Sequence, residues 1–91
     1  MKRVLIVEDE PMLRTMLEGF LASQGYEVRG AGDAAEANRI AATLQPDVAV
    51  LDIHLGSGPS GLDLAIALSH LFPRIAIVFL TNVADPRILG H

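Results

Sequence analysis

Three short apolar runs constrain the fold of this chain more than any other feature of its sequence. They occupy residues 4–7, 48–51 and 75–80, and continuous apolar runs of this length are typical of strands buried on both faces of a parallel sheet. Because the carboxyl ends of parallel strands meet at one edge of an open α/β sheet, we expect the polar residues that follow the runs to lie together. Those residues are Glu8 with Asp9, Asp52, and Thr81 with Asn82.

Helical patterns separate the apolar runs. Pro11 suits the first turn of a helix, where its missing N–H costs nothing, and apolar residues at helical spacing predict one core-facing stripe on that helix. The stripe consists of Leu13, Met16, Leu17, Phe20 and Leu21. Asp33 and Ser60 are candidate N-caps of two further helices. The predicted inward residues of the helix after Asp33 are Ala37, Ile40, Ala41 and Leu44.

The order of these elements predicts the topology. An alternating segment at residues 26–29 indicates a half-exposed edge strand, and Gly30-Ala31-Gly32 indicates a turn after it. Strands and helices that alternate call for parallel strands and right-handed crossovers. We therefore predict an α/β fold, a doubly wound parallel sheet in the flavodoxin-like order 2-1-3-4. Asp9 and Asp52 would then meet between the first and third strands.

The composition narrows the class of protein. A chain of 91 residues allows one domain, and no apolar run approaches the roughly 18 residues of a membrane span. Lys2-Arg3 leads into a short apolar run and not into a signal peptide. The chain has no cysteine, and its net charge of −4 argues against direct binding of nucleic acid. We predict a cytoplasmic protein that binds neither membrane nor nucleic acid through this chain.

The acidic residues at the edge of the predicted sheet indicate a site for a divalent cation. Carboxylates gathered within a few ångströms repel each other, and a hard divalent cation such as Mg²⁺ stabilises an oxygen-rich site of this kind. With the cation held by Glu8, Asp9 and Asp52, a remaining oxygen of Asp52 could attack phosphorus as a nucleophile. Thr81 could donate a hydrogen bond to a transferred phosphoryl oxygen.

At these residues the sequence resembles the receiver domains of bacterial two-component response regulators, the CheY-like family. The matching motifs are Glu8-Asp9, Leu51-Asp52, the Gly- and Pro-rich loop that ends at Gly61, and Leu80-Thr81. The resemblance implies a phosphoprotein that receives a phosphoryl group from a sensor histidine kinase or phosphotransfer protein and switches a partner or output module.

The resemblance also implies a role for each site residue. Asp52 is the phosphoacceptor and Asp9 is the main Mg²⁺ ligand. Glu8 assists through water, and the backbone carbonyl of His54 completes the metal shell. Thr81 is the switch hydroxyl. At most, such a domain catalyses its own phosphorylation and dephosphorylation, and it is not a turnover enzyme in the usual sense.

Two features depart from the family pattern. Asn82 follows the threonine where the family usually has a small residue. The fifth strand, the lysine that ends it and the last helix have no counterpart, because the only lysine is Lys2. Residues 1–91 are therefore interpreted as a C-terminally incomplete receiver, and the open fourth strand predicts a possible homodimer through residues 75–91.

Two alternative functions stay open. A truncated or degenerate receiver could act as a phosphorylation-independent interaction or dimerisation module, which the missing lysine favours. A small phosphatase with an aspartate nucleophile is the weaker alternative. Enzymes of that kind usually carry a second aspartate two residues after the nucleophile, and that position is His54.

Overall fold

The computed structural model describes residues 1–55 and 59–80. Four strands and three helices alternate along this part of the chain. They are β1 (Arg3–Val7), α1 (Pro11–Ser23), β2 (Glu27–Ala31), α2 (Ala34–Leu44), β3 (Val48–Asp52), α3 (Gly61–Leu71) and β4 (Ala76–Leu80). None of the helices in these ranges has the length and apolar character needed to cross a bilayer.

The strands form one parallel sheet in the order β2-β1-β3-β4, which confirms the predicted topology. The register places Val7, the last residue of β1, between Ala31 of β2 and Leu51 of β3. Because the strands are parallel and in this register, the residues directly after Val7 and Leu51 emerge at the same edge of the sheet. This edge carries the predicted site.

The helices begin and end where the sequence provides caps. The Asp33 carboxylate accepts the Glu36 N–H at 2.8 Å at the start of α2. Ser60 and Asp63 form a reciprocal capping box at the start of α3. Gln45 takes a left-handed conformation, with φ of 52°, and closes α2. These local interactions agree with the predicted helix starts.

The hydrophobic core of the described residues lies between the sheet and the helices α2 and α3. Its larger members in β1, β3 and α3 have almost no exposed surface. They include Leu5, Val7, Leu51, Leu64 and Leu68. The predicted inward face of α2 is confirmed: Ala37, Ala41 and Leu44 are buried, and Ile40 packs against the core while partly buried.

The prediction that the apolar stripe of α1 is core is wrong. No residue of this helix is buried, and the side chains of Leu13, Met16 and Phe20 are 40%, 65% and 62% exposed. α1 packs on β1 and β2, a contact that covers only part of so wide a stripe. Helical periodicity shows which residues share a face, but it does not show whether a second element covers that face.

Two predictions about the strands also need correction. Gly30 and Ala31 are not in a turn: they pair with Ile6 and Val7 as part of β2. A Cβ at Gly30 would lie 2.7 Å from the carboxyl carbon of Glu18 in α1, so a larger residue here would displace that flexible side chain. The strand β4 is not buried on both faces, since Ala76, Val78 and Phe79 are exposed. In the described part of the chain β4 is an edge strand with β3 as its neighbour.

Candidate functional site

Three carboxylates meet at the carboxyl edge of the sheet. Glu8 and Asp9 follow β1, Asp52 ends β3, and one carboxylate oxygen from each lies within 4.8 Å of the other two. In residues 1–55 and 59–80 this is the one group of three acids or histidines close enough to share a metal ion. The structure thus brings together the three acids that the sequence singled out.

Glu8 is the buried member of this cluster, with 3% of its surface exposed. Its carboxylate accepts the backbone N–H of Glu10 at 3.0 Å. The pKa of Glu8 is raised from 4.5 to about 7, mainly by burial. The N–H of Glu10 opposes this rise, whereas a hydrogen bond from protonated Glu8 to Asp9 and the negative charges of Asp52 and Asp9 contribute to it. The fold therefore holds Glu8 in a place where a negative charge needs compensation by a cation or a proton.

Asp52 is half-buried at the end of β3. One of its oxygens accepts the backbone N–H of His54 at 3.1 Å. The first residue of α3 approaches the same backbone, because the N–H of Gly61 donates to the carbonyl of Ile53 at 2.9 Å. A Cβ at Gly61 would collide with the carbonyl oxygen of Asp52 and would lie 3.0 Å from the Cα of Ile53. Glycine at position 61 is thus required by the close packing of α3 against the end of β3.

Two residues that sequence reasoning missed stabilise the loop between β1 and α1. The Glu10 carboxylate caps α1 by accepting the N–H groups of Met12 at 3.2 Å and Leu13 at 2.8 Å. The Arg14 guanidinium donates to the Glu8 carbonyl at 2.8 Å. The acid directly before Pro11 was an available signal for the cap, but no local pattern indicates the contact of Arg14.

The other residues predicted for the site are Thr81, Asn82 and His54. Thr81 and Asn82 lie outside the described residues. The described backbone of His54 contributes its N–H to the Asp52 carboxylate, and the metal-binding role of its carbonyl stays a prediction. The three clustered acids offer the hard oxygen ligands that Mg²⁺ and Ca²⁺ prefer, so their chemistry fits a divalent cation.

The sequence and the fold both have well-defined relatives. Residues 4–90 match the family described as response regulator receiver domain. The chain is 37% identical over 89 residues to the probable transcriptional regulatory protein TcrX of Mycobacterium tuberculosis, and the match covers 96% of this chain but 38% of that protein. The chain thus spans less than two fifths of this relative.

Solved structures share the fold. Vibrio cholerae chemotaxis protein CheY4 matches with a TM-score of 0.86 and 28% identity, over 99% of this chain and 76% of that one. A response regulator protein from Burkholderia pseudomallei, solved with a phosphorylated aspartic acid, a calcium ion and citrate, matches with a TM-score of 0.81 and 30% identity, over 92% of this chain and 51% of that one. The motifs, the sheet order and the family match together place this chain in the response regulator receiver domain family of two-component systems.

Proposed function

We propose that this receiver accepts a phosphoryl group on Asp52 from the phosphohistidine of a sensor histidine kinase or phosphotransfer protein, with Mg²⁺ bound beside it. The observation that carries the proposal is the clustering of Glu8, Asp9 and Asp52 within 4.8 Å at the carboxyl edge of the sheet. The phosphorylated aspartate and calcium ion of the Burkholderia pseudomallei relative support the same chemistry for this family.

Asp52 supplies the nucleophile. One of its carboxylate oxygens forms a bond to phosphorus while the bond between phosphorus and the donor imidazole nitrogen breaks. The imidazole keeps the electron pair and takes a proton from solvent. The N–H of His54 holds one oxygen of Asp52, which orients the carboxylate and leaves the second oxygen for attack.

The neighbouring acids form the cation site. Asp9 would be the main ligand, Glu8 would act through water, and the carbonyl of His54 would complete the protein part of the shell. A bound Mg²⁺ neutralises charge on the transferred phosphoryl oxygens. The raised pKa of Glu8 supports this assignment, because a bound cation would compensate the negative charge that burial and the neighbouring acids disfavour. The hydroxyl of Thr81 would follow the phosphoryl group as the switch.

The output of the switch is a partner or a further module. The relative TcrX carries a regulatory name and is much longer than this chain, which supports an output outside the matched residues. The kinase partner implies a cytoplasmic location for the domain. The domain would catalyse no turnover beyond its own phosphorylation and dephosphorylation.

Labelling of Asp52 tests the proposal. We expect the protein to gain one phosphoryl group when mixed with Mg²⁺ and a small acyl phosphate or a phosphorylated histidine kinase, as read by intact mass. Asp52→Asn keeps the shape but removes the nucleophile, so labelling should vanish. Asp63→Asn serves as the matched control, because Asp63 is an exposed capping acid of α3 and should label normally. Persistent labelling of Asp52→Asn would refute the phosphoacceptor assignment.

A second candidate function is a phosphorylation-independent interaction or dimerisation module that uses residues 75–91. The exposed apolar side chains of Val78 and Phe79 on β4, an edge strand within residues 1–55 and 59–80, favour it, because an apolar strand edge is a template for another strand. Residues 81–91 of that segment lie outside the described residues. Light scattering at low micromolar concentration tests this function: dimers that form without phosphorylation support it, and a monodisperse monomer contradicts it.

A further inference from the structure

Arg14 connects α1 to the acidic edge of the sheet. Its side chain is partly buried, and its Nη1 atom donates to the backbone carbonyl of Glu8 at 2.8 Å. Glu8 is the buried acid of the cluster, and the next residue in the chain is Asp9. The guanidinium therefore binds the loop that carries two of the three clustered acids, although Arg14 itself lies a full helical turn into α1.

Glu8 is held by hydrogen bonds at three points. Its N–H donates to the carbonyl of Ala31 at 3.0 Å, which continues the pairing of β1 with β2. Its carbonyl accepts from Arg14, and its carboxylate accepts the N–H of Glu10 at 3.0 Å. The last two bonds both come from the start of α1, because Glu10 is the N-cap of that helix. The position of the carboxylate thus depends on how α1 is attached to the end of β1.

The structure provides space for the guanidinium. A Cβ at Gly32, just after β2, would lie 3.1 Å from Nη1 and 3.8 Å from the Cζ of Arg14. That separation is tighter than an ordinary van der Waals contact, so glycine at this position lets the guanidinium lie over the backbone. The Gly32 N–H donates to the Glu36 carboxylate at 2.8 Å. The Gly32 backbone beside the guanidinium is therefore held in place by α2.

From these contacts we infer that Arg14 is a positioning residue for the cation site: it holds the loop after β1 so that Glu8 and Asp9 face Asp52. This inference rests on the proposed function of that site. Arg14 touches neither the cation nor the phosphoryl group and acts through the Glu8 carbonyl. Residues that orient metal ligands from the outer shell commonly change metal affinity by about 10–100-fold when they are replaced.

The sign of the effect separates positioning from simple electrostatics. A positive side chain near a cation site repels the cation, so its removal should tighten Mg²⁺ binding if charge alone matters. If Arg14 positions the loop, its removal should instead weaken binding. Arg14→Met removes both charge and donor at similar length. Arg14→Lys keeps the charge and a donor, although it lacks the planar fork.

The test compares the Mg²⁺ dissociation constants of folded variants, measured by NMR titration, together with the amide shift of Glu10 in the absence of metal. We expect Arg14→Met to raise the dissociation constant about tenfold and to move the Glu10 amide, because that N–H donates to the Glu8 carboxylate. Arg14→Lys should recover part of the affinity. Arg39→Met, which removes an exposed charge from α2, should leave both readouts unchanged.

Each outcome bears on a different claim. An Arg14→Met protein that is folded by urea titration and binds Mg²⁺ as tightly as the wild type, or more tightly, would overturn the positioning role alone. A wild-type protein that binds no Mg²⁺ at Asp9 and Asp52 would instead overturn the proposed function, and the positioning role with it. An equal change in the dissociation constant for Arg14→Met and Arg39→Met would show that the effect is not specific to Arg14 and would also overturn the inference.

Discussion

Replacement of Gly61 by alanine adds one methyl group at the point where α3 lies closest to the end of β3. The new Cβ would collide with the carbonyl oxygen of Asp52 and would lie 2.9 Å from its carbonyl carbon. These neighbours are backbone atoms, so no side chain can rotate away. The Asp52 and Ile53 backbone is also held by the pairing of β3 with β4 and by the bond from the Gly61 N–H.

The size of the effect follows from this geometry. Overpacking in a core typically costs about 1–3 kcal/mol when neighbours can adjust, so a clash with backbone should cost about 3 kcal/mol or more. A domain of this length has an unfolding free energy of about 5–14 kcal/mol, so the loss is a large share of the total. With a urea m-value of about 2 kcal/mol/M, the midpoint should fall by about 1.5 M.

The assay is urea unfolding followed by circular dichroism, with Gly19→Ala as the matched control. Gly19 is an exposed residue of α1 with no heavy atom within 4 Å of an added Cβ, so this substitution should stabilise the protein by about 0.5–1 kcal/mol. A Gly61→Ala protein that unfolds at the wild-type midpoint would refute the reasoning, because it would mean that α3 moves away from β3 at almost no cost.

Two further predictions concern the acidic edge. Asp9→Ala should abolish weak Mg²⁺ binding whereas Asp63→Ala should not, as followed by NMR shifts at Asp9, Asp52 and His54; shifts that map instead to residues 33–36 would show that the site is assigned wrongly. In metal-free protein the folded pKa of Glu8 lies above the unfolded value, at about 7 against 4.5, so its contribution to stability is complete below pH 4.5 and is lost as the pH rises through 7. The full shift in pKa corresponds to about 3 kcal/mol. In Glu8→Gln, the free energy of unfolding measured with urea should therefore depend less on pH between pH 5 and pH 8 than in the wild type. Parallel curves for the two proteins would contradict the burial of a charged Glu8.

The sequence by itself was sufficient to predict the strands and helices, their order and the position of the candidate site. The apolar runs, the caps at Asp33 and Ser60 and the prolines are local signals, and each acts within a few residues of the element it starts or ends. The parallel order 2-1-3-4 follows from the alternation of strands and helices. Since strand ends in a parallel sheet share an edge, the meeting of Glu8, Asp9 and Asp52 followed as well.

Tertiary structure alone decided which faces are covered and which distant groups touch. The stripe of α1 reads as core from its spacing, yet Met16 and Phe20 are exposed, because coverage depends on elements elsewhere in the chain. Gly30 belongs to β2, since its pairing with Ile6 outweighs the local preference of glycine for turns. The bond from Arg14 to the Glu8 carbonyl depends on how α1 is oriented on the sheet, and a single sequence carries no local signal of that orientation.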